Sequence, residues 1–217
     1  MKIINNVPKF FKDLPFMDRL HIYIRTIVCP FNSVLARIPV SGTIADVGCG
    51  HGLLCALAVL EKPSRKLIGI DPDKRKIEVA KRCFENSNVE LMAGTIEDLP
   101  TRLDAAVMCD VLYLIPVREW SNIFTAILNR LKPGGRFVLK EAGTEPAWKH
   151  TKTILGEYLM VNLLGRTRAS GGLNFQASHK TQRLLELSGF KVEEVRDLGK
   201  GYSTPHVLFV ASRPIQG

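Results

Sequence analysis

Between residues 43 and 142 the chain alternates short apolar runs with longer runs of helical period, and this alternation admits few architectures. "TIADVG", "KLIGID", "VELMAG", "LDAAVMCD" and "RFVLKEA" are short and almost wholly apolar, so they read as strands buried on both faces. Between them, "HGLLCALAVLEK", "PDKRKIEVAKRCFEN" and "PVREWSNIFTAILNRL" read as helices, and "KPGG" reads as a turn. Strands alternating with helices predict an α/β fold with a parallel sheet covered on both sides. Near the end, "SHKTQRLLELSGF" predicts a helix stopped by Gly189, followed by the strands "KVEEVRDL" and "HVLFVAS". The link "GKGYSTP" is too short for a parallel crossover, so these two strands are expected to pair antiparallel.

Composition narrows the class further. The chain has 217 residues, 46% hydrophobic and 24% charged, the balance of a folded globular protein. Its longest apolar run, "LLCALAVL", is too short to cross a membrane, and the N-terminal "MKIINNVPKFFKDLPF" lacks the apolar stretch of a signal peptide, so a cytoplasmic protein is expected. Five cysteines and five histidines show no metal-ligand or disulfide spacing, so no metal is expected. The net charge of +9 is concentrated. Residues 1–40 hold six basic against two acidic residues, and residues 149–183 hold six against one, while the rest is balanced. Such concentration points to an anionic partner. Both basic segments also hold apolar helical stretches: Met17, Leu20, Ile24, Ile27 and Val28 share one helical face, and "TILGEYLMVNLLG" is a second such stretch. We expect one domain over 1–217: an N-terminal helical cap (1–40), a core (41–148), a helical lid insertion after the fifth strand (149–175), and a C-terminal helix with a strand pair (176–217).

The first strand ends in "IADVGCGHG", residues 44–52. Glycines after a strand and before a helix let the backbone approach a ligand closely. The spacing discriminates among nucleotide sites. A dinucleotide fingerprint would need a third glycine where Leu53 or Cys55 stands, and no P-loop motif occurs. What remains is an acid followed by three alternate glycines: Asp46, Gly48, Gly50 and Gly52.

With these residues the chain resembles the class I S-adenosylmethionine-dependent methyltransferases, and most of all the group of quinone, sterol and natural-product enzymes. "DVGCGHG" is similar to that family's first motif, "LIGIDPD" to its second, "LMAGTIEDLP" to its third, "LDAAVMCDVLYL" to its fourth and "LKPGGRFVLKE" to its fifth, in that order. The resemblance covers residues 41–141 and implies a Rossmann-like doubly wound sheet of about seven strands with the last antiparallel. It implies S-adenosyl-L-methionine as cofactor. The backbone of Gly48, Cys49, Gly50 and Gly52 would lie along the methionine part, with Asp46 indirectly near the amino group. Asp71 would accept hydrogen bonds from the ribose hydroxyls, with Pro72 beside it. Glu97 or Asp98 and the backbone of Ile96 would read adenine, and Cys109 would line the site. Thr95 departs from the acid often found at its position. Read as local structure instead, Asp73 is the better helix N-cap, Glu97 and Asp98 are first-turn acids, and Cys49 and Cys109 are small packing residues.

Methyl transfer needs alignment and, for some acceptors, a base. Candidates at the expected carboxyl edge of the sheet are Asp110, Tyr113, Lys140, Glu141, His179, Tyr202 and His206, led by Asp110 and His206 as catalytic residues. "CDVL" at the fourth motif lacks the Pro-Pro pattern of enzymes acting on adenine-N6 or glutamine-amide nitrogens. Three readings follow. The first is a methyltransferase for a small or lipid-like acceptor, anionic or carrier-bound. Its apolar segments 14–28 and 154–164 would close over a greasy site, while Arg19, Arg25, Lys149, Lys152, Arg166 and Arg168 meet phosphate head groups, an acidic carrier protein or a membrane surface. The second is an RNA ribose 2′-O-methyltransferase, for which Asp110 and Lys140 match the middle of a Lys-Asp-Lys-Glu set but His206 replaces its last acid. The third is a cofactor-binding protein without catalysis. Action on a protein side chain is a further alternative.

Overall fold

The computed structural model describes residues 7–145 and 173–215. Three helices open the chain: α1 (Val7–Phe10), α2 (Phe16–Val28) and α3 (Phe31–Leu35). The alternation then runs β1 (Gly42–Val47), α4 (Leu53–Glu61), β2 (Arg65–Asp71), α5 (Lys74–Lys81), β3 (Val89–Ala93), β4 (Leu103–Cys109), α6 (Val117–Arg130) and β5 (Leu131–Ala142). After the gap in description come α7 (Ser178–Leu187), β6 (Lys191–Asp197) and β7 (His206–Ser212). The lid insertion expected at 149–175 falls almost entirely outside the described residues.

The seven strands form one sheet in the order β3-β2-β1-β4-β5-β7-β6. The first five pair parallel; β7 runs antiparallel to both β5 and β6. Strand periodicity sorts the core into two layers. Ile44, Ala105 and Val107 face α4 and α5, while Ala45, Ala106 and Met108 face α6 and α7. α4 is buried along nearly its whole length, as "LLCALAVL" suggested.

The "KPGG" segment is not a turn before β5. It lies inside the strand as a bulge, because β4 pairs with Leu131 at Leu103 and next with Arg136 at Ala105. The extra backbone is satisfied on the other side: Gly134 N–H donates to Arg213 O, and Arg213 N–H to Gly135 O, both at 2.9 Å. At the amino end of the sheet, Arg65 is fully buried. Its guanidinium donates to the carbonyls of Leu35, Pro39 and Ala58 and to Glu61, tying the N-terminal helices to α4.

α2 is oriented opposite to the sequence expectation. Ile22, Thr26 and Cys29 turn inward with Asp18 and Arg25, while Met17, Leu20, Ile24, Ile27 and Val28 are exposed. The inner face answers polar groups at the strand ends, so the apolar stripe has no place there.

Candidate active site

Strand order reverses between β1 and β4, and an open α/β sheet binds ligands beyond the carboxyl ends of its strands at such a point. The glycine segment leaves β1 there. Gly48 N–H and Cys49 N–H both donate to Ile70 O, at 2.8 and 3.0 Å, which folds the loop back over β2. Gly50 N–H donates to Asp71 Oδ2 at 2.8 Å, and Asp73 N–H donates to Asp71 Oδ1 at 2.8 Å. All three glycines have positive φ, which a side chain would strain. Their surroundings differ. A Cβ on Gly48 would lie 2.6 Å from Val111 Cγ2, and one on Gly52 2.8 Å from Phe84, whereas one on Gly50 would meet nothing within 4 Å. Gly50 therefore borders open space beside Asp71, and the other two glycines admit packed side chains. Asp46 is buried behind the loop and accepts the Cys55 thiol at 3.3 Å; burial pushes its carboxyl up to about 7.

At the end of β3, Ile96–Asp98 form a short 3-10 turn capped by Thr95. Thr95 N–H donates to Asp98, and the Thr95 hydroxyl donates to Glu97 Oε2 at 2.7 Å, which holds Glu97 below its ordinary range. Both acids are thus engaged by the local backbone and hydroxyl. Arg130 on α6 fastens the turn from behind by donating to the carbonyls of Glu97 and Leu99.

The ends of β4, β5 and β7 bring several of the expected catalytic residues together. Asp110 adopts φ +58°, uncommon for a residue with a side chain. Its N–H donates to Lys140 O at 2.8 Å. Its carboxylate accepts Lys140 Nζ at 2.5 Å and pairs with Arg25 Nη2 at 3.2 Å. Burial alone would raise Asp110, but Lys140 and then Arg25 outweigh it and hold the carboxyl at about 2. In turn Asp110 holds Lys140 above the usual ammonium range against its burial. Cys29, just past α2, lies 3.7 Å from Asp110 Oδ2 and 3.8 Å from Cys109 Sγ. These three residues could gather a cation, yet Asp110 already carries two, so the donor set suits a metal poorly.

His206 is buried at the start of β7. Its Nε2 lies 3.0 Å from Val28 O and 3.0 Å from Thr204 Oγ1. A carbonyl only accepts, so Nε2 carries the proton and Nδ1 presents a lone pair. That Nδ1 is buried and has no hydrogen-bond partner among the described residues. Burial, then Lys140, pushes His206 down to about 4. Tyr202 stands edge-on to its ring. Glu141 points to the other face of the sheet and accepts Val111 and Leu112 N–H at 3.0 Å each. Its second oxygen is orphaned among the described residues, and burial, then Asp110, pushes it up to about 8. Tyr113 stacks on Phe175. His179 is exposed on α7, away from this cluster.

Arg25 was expected to meet an outside anion, but it is spent on Asp110. It and Cys29 are the site residues that motif reading missed. The signal was present as a polar face of α2, with Asp18, Ile22, Arg25, Thr26 and Cys29 at helical spacing. Asp18 of that face stands 3.8 Å from His51 Nε2 in the glycine loop.

Known proteins match this chain in the same region. Residues 44–135 match the family model of a methyltransferase domain. The ribosomal protein L11 methyltransferase of Photobacterium profundum is 34% identical over 102 residues, which is 46% of this chain and 33% of that protein. The chain thus matches about a third of the length of such curated relatives. Among solved structures, the pyocyanin biosynthetic protein PhzM superposes with a TM-score of 0.72 at 19% identity, covering 94% of this chain and 61% of the other. Geranyl diphosphate methyltransferase in complex with SAM gives 0.67 at 15% identity, covering 90% and 89%. No helix of the described residues is long and apolar enough to cross a membrane. The sheet order agrees with that match, and residues 44–135 form a methyltransferase domain.

Proposed function

We propose that this protein transfers a methyl group from S-adenosylmethionine to a small or lipid-like acceptor that enters beneath α2. The observation that carries this reading is the position of α2, whose Arg25 reaches the carboxyl edge of the sheet and closes over Asp110. An acceptor must reach the site past a docked helix, which suits a compact molecule better than a folded polymer. The geranyl diphosphate and pyocyanin proteins that share the fold bear names of small-molecule chemistry, in keeping with this reading.

The residues present fit the cofactor. Each Asp71 oxygen accepts one backbone N–H and keeps a lone pair for a ribose hydroxyl, and Gly50 leaves space beside it. Gly48, Cys49 and Gly52 shape the loop, with Asp46 behind it. Pro72, Ile96, Glu97 and Cys109 would line the adenosine. When bound, the cofactor supplies an electrophilic methyl on a sulfonium. The protein's part is to orient the acceptor and, where it carries a proton, to accept it. We assign that role to His206 Nδ1, a buried lone pair that is unprotonated at neutral pH. Lys140 cannot serve as a base while the Asp110 carboxylate keeps it protonated, and Arg25 does not lose its proton in the accessible range, which weighs against ribose chemistry.

The test has two readouts. S-adenosylhomocysteine should raise the melting temperature of the wild type and not that of Asp71→Ala; no shift with the wild type removes the cofactor reading. Methyl-labelled cofactor incubated with a lipid extract, total RNA and ribosomal protein should label the organic phase. Label in RNA or protein instead would overturn the acceptor assignment and leave the cofactor reading standing.

A further inference from the structure

The amphipathicity of α2 is inverted. Seven of the eleven large apolar side chains exposed among the described residues sit on this one helix. Phe16, Leu20, Tyr23, Ile24 and Ile27 recur at helical spacing and are between 40% and 66% exposed. Monomeric proteins rarely leave so large an apolar stripe to water unless something covers it. Burying such residues is favourable in proportion to their apolar area, so the fold forgoes a large gain by turning them outward.

The charges around the stripe say what it fits. The helix's single acid, Asp18, turns inward toward His51, and Arg25 turns inward to Asp110. Arg19 is the charge left exposed on the helix. Leading into it, Lys9 and Lys12 are exposed against Asp13. An apolar stripe with aromatic residues and a basic margin is the pattern of a helix lying in the headgroup region of an anionic bilayer.

We propose that the outward face of α2 docks on an anionic lipid surface, with the helix in the plane of the interface and its polar side on the active site. A helix wet on one side by headgroups and joined on the other to Asp110 would set the acceptor entrance at the membrane. The inference goes beyond the methyl-transfer reading and does not depend on it, since docking is read without turnover.

Sedimentation of the full chain with sucrose-loaded vesicles tests it. Phosphatidylcholine vesicles containing about 30% phosphatidylglycerol should carry the wild type down, and pure phosphatidylcholine should carry at least tenfold less. Leu20→Glu/Ile24→Glu should lose at least tenfold of the binding while keeping its thermal shift with S-adenosylhomocysteine, which shows that the site is intact. Tyr23→Trp should emit as an exposed indole alone and shift to the blue on anionic vesicles. The proposal fails if the wild type stays in solution, if both vesicle types bind it equally, or if the double variant binds as well as the wild type. It fails also if the Tyr23→Trp indole is already dry without vesicles, meaning that the chain covers the face itself. Light scattering that shows a dimer split by the double variant would assign the face to a second copy instead.

Discussion

Gly50 and Gly48 look alike in the sequence and differ in what surrounds them. Gly50→Ala puts a methyl into open space beside Asp71, at a positive φ that costs about 1 kcal/mol. It should leave the fold largely intact and abolish the thermal shift with S-adenosylhomocysteine. Gly48→Ala drives its methyl into Val111 as well, so denaturant unfolding should show a loss of roughly 2–4 kcal/mol, partly recovered with Val111→Ala. Glu141 gives a pH prediction. Its carboxyl titrates near 8 in the fold against an ordinary 4.5, so the folded chain holds a proton that the unfolded chain releases. Stability should fall as pH rises from about 4.5 to 8, and Glu141→Gln should flatten that slope by roughly 1–2 kcal/mol in urea melts. The identity of Asp71 as the residue closing β2 was legible, because an acid after an apolar run is conspicuous. The strained φ of Asp110 and the orphan oxygen of Glu141 were not, since both arise from β4 and β5 lying side by side, thirty residues apart in the chain.

Among the elements, α2 and the β4–β5 pair meet at Asp110, and the two cations there are not equivalent. Lys140 is fully buried; Arg25 is partly exposed. Lys140→Met should therefore destabilise more, by roughly 3 kcal/mol, and Arg25→Met by about 1 kcal/mol, with the double variant less costly than their sum. Chemical denaturation of the four proteins checks this. Strands and helices of the core were legible because their periods differ. Two elements misled for identifiable reasons. Lys132–Gly135 has turn composition, yet the residues on either side of it pair with β4 and Arg213, just past β7, bonds Gly134 and Gly135. The apolar stripe of α2 reads as a buried face by pattern alone, since pattern reports amphipathicity and not which side faces the core.

For the whole molecule, the parallel part of the sheet follows from strands alternating with helices, and the short link between β6 and β7 makes that pair antiparallel. The charge excess in residues 1–40 was equally plain, while its division between an inward Arg25 and an outward Arg19 became visible only in the fold. If His206 is the proton acceptor, the pH profile of kcat/KM should show no limb near the ordinary 6.5 from this residue and fall only as pH approaches about 4.

The hydrogen bond from His206 to Val28 O joins residues 178 positions apart. On a ribosome adding about 5–20 residues per second, the cap helix emerges first and waits roughly 10–40 s for the strand that holds it. During that interval its inward face, with Ile22, Thr26 and Arg25, lacks its partners, so the helix should settle after the strands although it is made before them. Pulse-labelled hydrogen exchange during refolding should find the amides of α2 acquiring protection after those of β1 and β4.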